Sequence, residues 1–242
     1  MVGEGLVLAI VAVWWLTAPK GSSFLFPGPV ETFKALAAMF VEPNFLVHTL
    51  ASVWRVFASV ALALVLGIAL ALATRRYPIT EGIVYDRIQP VLLSFPSLGW
   101  VLIGAIWFGT TDFTVVFIQT FILLPFALGQ FREGVAGLDR DLLEMGASFG
   151  RRPRRLIWKL AIPLLAPHAV AAGRICYGVA WKVAVVAELF ATERGVAFLM
   201  YQAQLRSETA EMLAACLAIV VIFLVGERLI IDPLARRLGR GR

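Results

Sequence analysis

Charge is scarce in this chain. Asp, Glu, Lys and Arg make up 16% of its 242 residues, against about 25% in an ordinary soluble domain. Cysteine and histidine number two each. Cys176 and Cys216 lie inside apolar runs without a CxxC, and His48 and His168 stand far apart without an HExxH, so neither a redox pair nor a zinc site has its ligands. No GxxxxGK[ST] occurs, so a P-loop cradle for nucleotide phosphates is excluded. What the chain does have is 60% hydrophobic residues and a mean hydropathy of +0.84. A soluble fold of this size cannot cover that much apolar surface with so few charges. Disorder, a collagen repeat and a disulfide-stapled module are excluded by the same composition. The sequence is that of an integral membrane protein, in which one crossing takes about 20 apolar residues.

The apolar runs predict an all-α membrane protein, one transmembrane domain over 1–242 with spans at about 6–18, 50–73, 91–108, 113–131, 164–190 and 210–231. The first run can be a cleaved signal peptide or a short first helix. Its n-region, Met1 to Gly5, has no Lys or Arg and no A-x-A site follows, which favours the helix. Within the polar connection, Val30, Phe33, Ala37 and Phe40 recur at helical spacing after Pro27-Gly28-Pro29, the pattern of an amphipathic interfacial helix. Pro96 and Pro125 fall inside spans, where neighbours can satisfy the freed carbonyls.

The charge balance is +6. A basic balance can mean nucleic acid, but in a membrane chain it marks cytoplasmic loops. With both termini cytoplasmic, fourteen of the 22 basic residues fall inside and Lys20, Lys34, Arg194 and Arg206 outside. The rest, Arg55, Arg174, Lys182 and Arg228, lie within spans. The alternative topology is a five-span core with a loosely held first helix.

Half of the inside charge sits in the loop 132–163. Asp139 can cap a helix with Asp141 and Glu144 in its first turns. Leu142, Met145 and Phe149 form an apolar stripe, Gly146, Ala147 and Ser148 are small enough for close approach, and Gly150 is a C-terminal stop. Arginines set topology, but a small-residue stripe clear of the bilayer suits a protein-docking helix. Gly146-Ala147-Ser148-Phe149-Gly150 also satisfies GxSxG. That motif needs a strand before its serine and an acid and a histidine after it. Here the preceding segment is helical in pattern, and His168 is the one histidine that follows.

Glu144-Met145-Gly146, three residues, Gly150, nine residues and then Leu160-Ala161-Ile162-Pro163 resemble the EAA motif of ABC-importer permeases. Met145 and Gly146 stand where that motif has alanines. Phe26-Pro27-Gly28-Pro29, Phe95-Pro96-Ser97 with Trp107-Phe108-Gly109, and Ala180-Trp181 with Ala187-Glu188 resemble its nitrate/sulfonate/taurine branch. The resemblance implies a type I permease fold of six spans, working as a pair of copies (a homodimer) in the bacterial inner membrane. It also implies two cytoplasmic ATPase subunits and a periplasmic substrate-binding protein. ATP and Mg would then be bound by the ATPase partner, with no cofactor and no enzymatic activity in this chain. Asp139, Leu142, Glu144, Gly146, Ala147, Phe149 and Gly150 would form the coupling helix, and transport of a small anion would proceed by alternating access. A self-contained secondary transporter or channel, and an intramembrane hydrolase using Ser148 or His168, are the competing classes.

Ionisable residues in lipid face the protein interior or a water path by default. Arg174, Gly178, Trp181 and Glu188 lie within about 40° of one helical face, with Lys182 to one side. Together with Gln119 they are the candidates for a translocation path, where Lys182 and Arg174 would supply a positive field. Arg174 and Glu188 are 14 residues apart, about 21 Å along a helix, too far to pair. Arg55 and Arg228, near span ends, are expected to be interfacial anchors.

Overall fold

The computed structural model describes residues 2–18, 27–137 and 162–239, and they are helical with no strand among them. In chain order the helices are α1 (Val2–Thr17), α2 (Pro29–Val41), α3 (Pro43–Arg76), α4 (Ile79–Ser94), α5 (Ser97–Phe108), α6 (Asp112–Ala136), α7 (Ile162–Ala191), α8 (Val196–Leu205), α9 (Thr209–Gly226) and α10 (Asp232–Gly239). One π-turn, Val84–Ile88, lies inside α4, and another, Glu227–Ile231, joins α9 to α10.

Four stretches are long and apolar enough to cross a bilayer on their own: α3, α6, α7 and the run Thr209–Arg237. The pair α4 and α5 is apolar enough when taken together but is bent by 88°, a broken span or a re-entrant loop. The run expected as one span at 91–108 is thus bent at Pro96. Pro96 has no N–H to give the helix, and a residue before proline is pushed out of the α region. Phe95 accordingly sits at φ −72°, ψ 127°. Pro125, by contrast, is carried inside a continuous α6, and its carbonyl accepts a hydrogen bond from Gln89 Nε2 at 2.9 Å. The run expected at 6–18 is helical as α1, but its 16 residues reach only about 24 Å, short of a hydrocarbon core of about 30 Å. The amphipathic stretch is α2, which begins on Pro29 at its first turn as proline favours. Its Phe33 and Phe40 remain exposed.

The centre is a bundle of α3, α6 and α7. Val56, Val60 and Ala63 of α3 meet Leu123, Ala127 and Phe131 of α6, and Ala172, Cys176, Ala180 and Ala184 of α7. Lipid supplies no hydrophobic drive between helices, so small residues that let backbones approach carry the packing. Gly67 shows how close that is: a Cβ there would lie 2.8 Å from Ala127 Cβ and 3.3 Å from the Ala127 carbonyl carbon. α6 and α7 flank the segment 138–161, so their far ends, Asp112 and Ala191, lie at the opposite end of the bundle.

Candidate functional site

At that opposite end three helices and the α7–α8 connection meet on one arginine. Arg55, twelve residues into α3, is fully buried at 0% exposure. Its Nε donates to Asp112 Oδ1 at 2.8 Å, and Nη2 donates to the same oxygen. Nη2 also donates to Thr192 Oγ1 at 3.0 Å. Nη1 donates to Glu188 Oε1 at 3.1 Å and to the Arg194 carbonyl at 2.8 Å. A guanidinium has five N–H donors, and these five bonds use all of them. The expectation of an interfacial anchor is corrected: Arg55 is an interior hub. Its planar fork can bind a carboxylate and three further acceptors at once, and water is not needed to solvate it.

Glu188 is the hub's buried acid, 1% exposed. Its Oε2 accepts from Ser52 Oγ at 2.9 Å and from the Ala197 N–H at 3.2 Å. Ser52 in turn accepts the Val196 N–H at 3.0 Å. The first N–H groups of α8 are thus satisfied by α3 and α7 side chains, and a carboxylate sits where the helix dipole favours it. The turn before α8 completes the site. Gly195 donates its N–H to His48 Nδ1 at 3.0 Å and adopts φ 125°. Only glycine takes that backbone readily, and a Cβ would collide with Glu188 Cδ and Oε2 and lie 2.6 Å from Oε1. Asp112, the first residue of α6, has a side chain 56% exposed, so it is the arm of the hub that reaches water.

The hub includes one residue from the sequence-derived set, Glu188. Trp181 is buried and packs edge-on against Tyr177, with ring centroids 6.4 Å apart. Gln119 is buried on α6, where its Oε1 lies 2.6 Å from Ser59 Oγ and its Nε2 has no partner among the described residues. Arg174 lies away from the hub, exposed and bonded through Nη2 to Asp232 Oδ1 at 2.6 Å. Lys182 is exposed on α7 and pairs with no acid among the described residues. Asp139, Leu142, Glu144, Gly146, Ala147, Phe149 and Gly150, the expected coupling helix, lie outside the described residues. Sequence reading passed over Ser52, Asp112 and Thr192. The signal available was the number of in-span charges: a lone arginine and a lone glutamate in different spans, each at the same end, need one another.

Beyond the hub, the α8–α9 turn carries an exposed ion pair. Arg206 donates to Glu208 at 2.6 Å and to Glu211 at 3.1 Å. That hydrogen bond from Arg206 holds the Glu208 carboxyl below its ordinary range. Beside it opens a cavity of about 320 Å³ lined by Glu42, His48, Gln202, Arg206 and Glu211.

Residues 63–240 match the family described as the binding-protein-dependent transport system inner membrane component. Relatives are similar over nearly the whole chain. The taurine transport system permease protein of Escherichia coli (strain K12) is 27% identical over 226 residues, 90% of this chain and 82% of that protein. The putative aliphatic sulfonates transport permease protein of Bacillus subtilis (strain 168) is 25% identical over 242 residues, 98% of this chain and 85% of its own length. The nitrate import permease protein of Synechocystis sp. is 20% identical, covering 95% and 86%. Among solved structures, an inward-facing form of the MetNI methionine ABC transporter has a TM-score of 0.62 at 16% identity, over 81% of this chain and 97% of that one, a likeness of fold. The apolar helices crossing a bilayer, the helical bundle and the matched segment agree: the chain belongs to the binding-protein-dependent inner membrane components, the permeases of ABC importers, in the branch that holds the taurine, sulfonate and nitrate permeases.

Proposed function

We propose that this permease moves a small anion, nitrate-, sulfonate- or taurine-like or an organic carboxylate, from periplasm to cytoplasm by ATP-driven alternating access, as a homodimer. The carrying observation is Lys182. It lies nine residues from the end of α7 at Ala191, about 14 Å along the helix and so near the middle of a core about 30 Å thick. An exposed ammonium with no acid partner among the described residues is costly in lipid at that depth, and by default faces a water-filled path or a second copy. The relatives' printed substrates, taurine, sulfonates and nitrate, are anions that such a cation would hold. Arg174 takes no part in the path, because it is bonded to Asp232 on the α10 side of the bundle, and Gln119, Trp181 and Glu188 form the wall behind the path.

In this reading two ATPase subunits bind Asp139, Leu142, Glu144, Gly146, Ala147, Phe149 and Gly150 of each copy and hold the ATP and Mg. A periplasmic binding protein meets the opposite end, where Arg55 fixes α8. ATP-driven closure of the ATPases shifts the equilibrium between two arrangements of the spans. The test is uptake of labelled taurine, sulfonate, nitrate and carboxylate by the reconstituted complex. A charge roughly 7 Å from an anion at an effective dielectric of about 20 is worth about 2.4 kcal/mol, so Lys182→Gln is expected to lower uptake about 50-fold, and Lys182→Arg to keep most of it. Unchanged uptake by Lys182→Gln, or transport by the chain alone on an ion gradient, would refute the proposal.

A further inference from the structure

On the flank of the bundle away from the Arg55 hub, α3, α7 and α10 leave an open groove of about 290 Å³. Its walls are Phe57, Val60 and Leu64 of α3, Val170 of α7, and Ile230 and Leu234 at the C-terminal end. Arg174 stands in this lining. It lies 17 residues before Ala191, about 26 Å along α7, which is close to the thickness of the hydrocarbon core. The groove therefore ends at the headgroup level on the side of the bundle that leads to residues 138–161.

Two kinds of observation at this rim point to one class of ligand. Arg174 spends one hydrogen bond on Asp232 and leaves its Nε and Nη1 donors without an acceptor among the described residues. Arg236 and Arg237 are both exposed. Arg237 follows the wall residue Leu234 by three positions and Arg236 follows Asp232 by four, so helical spacing places them on either side of the groove's end. Arg174 and the two arginines of α10 thus stand with one acid, Asp232, at the headgroup end of an apolar slot. We infer that the groove binds an anionic phosphoglyceride, an acyl chain between α3 and α10 and the phosphate on Arg174 with Arg236 or Arg237. Guanidinium takes phosphate in two parallel bonds, and short amphipathic helices with basic residues hold anionic headgroups. A second copy of the chain is the poorer occupant: a two-fold contact sets a patch against itself and would bring these arginines together.

The inference requires a membrane-embedded chain and not the solute or the ATP step proposed above. The test is native mass spectrometry and lipid extraction of the full chain, purified in mild detergent with the subunits that accompany it. About one anionic phosphoglyceride per copy is expected to be retained. Changing Arg174, Arg236 and Arg237 together to Gln removes several charge-assisted bonds and is expected to lower retention at least about tenfold. Leu64→Trp fills the slot with the arginines intact and is expected to expel the same lipid. Retention unchanged in both variants, equal retention of phosphatidylethanolamine, or cross-linking between copies through cysteines at Ala61 and Leu234 would each overturn the assignment. Failure of the transport proposal would appear in the uptake assay, which this readout does not use.

Discussion

Gly195→Ala tests the hub with the smallest possible change, one methyl group. Two costs add. At φ 125° and ψ 164° the backbone is in a region that is nearly glycine's alone, and a side chain there costs about 1–3 kcal/mol. The new Cβ also takes the place of the Glu188 carboxyl. Glu188 has to swing away from Ser52, Arg55 and the Ala197 N–H, and breaking a buried pair this way costs about 3–5 kcal/mol. The low end of the sum is about 4 kcal/mol. For a chain of this size about 1 kcal/mol moves the melting temperature by about 2–4 °C, so a fall of roughly 8–16 °C is expected. Tryptophan fluorescence followed through a thermal ramp of the purified chain in detergent measures it. Gly178→Ala is the control, since nothing lies within 4 Å of a Cβ there and helical alanine is intrinsically better than glycine. A Gly195→Ala melt within a degree or two of the parent, or an equal loss in Gly178→Ala, would refute the argument from φ and contact.

The hub makes further predictions. Arg55→Met and Glu188→Leu are each expected to destabilise by about 3–5 kcal/mol, while the double replacement loses clearly less than their sum, because the second change removes the stranded charge; chemical denaturation of the three variants gives the coupling directly. Asp112→Asn is expected to cost under about 1 kcal/mol, since the Asp112 carboxylate is solvated, and a loss as large as that of Glu188→Leu would show that the exposed arm dominates. Gly67→Val is expected to force α3 and α6 apart and lower the melting temperature, as overpacking costs about 1–3 kcal/mol; retention of the parent melt would count against the close crossing. Glu144→Lys and Gly150→Val are expected to abolish co-purification of the ATPase subunits with the fold intact, and undiminished binding would remove the coupling role.

Much of this was legible in the sequence for reasons that can be named. The long apolar runs are helical because a bilayer leaves backbone groups no other partner, and α3, α6 and α7 stand close to where hydropathy put them. The break at Pro96 and the continuity at Pro125 were not distinguishable by composition. Both prolines lie in apolar runs. At Pro96 the chain turns by 88° into α5, whereas α6 continues through Pro125 where it packs against α3 and α7. Arg55 was misplaced for a related reason. Its position near a span end is compatible with snorkelling, and nothing local reveals that Glu188, 133 residues later, faces it.

The sequence by itself determined that the chain lives in a membrane and crosses it several times as helices. It also carried the spacing that resembles an ATPase dock. Those properties are periodic or local, so a short window contains them. Tertiary structure alone decided which charges are partners. It joined Arg55 to Glu188 and Asp112, sent Arg174 to Asp232 and left Lys182 exposed. Pairing across helices depends on rotation and depth, and neighbouring positions about 100° apart on a helix face different surroundings. Gly195 is the point where the two meet: one missing side chain in the sequence is the space that Glu188 occupies in the fold.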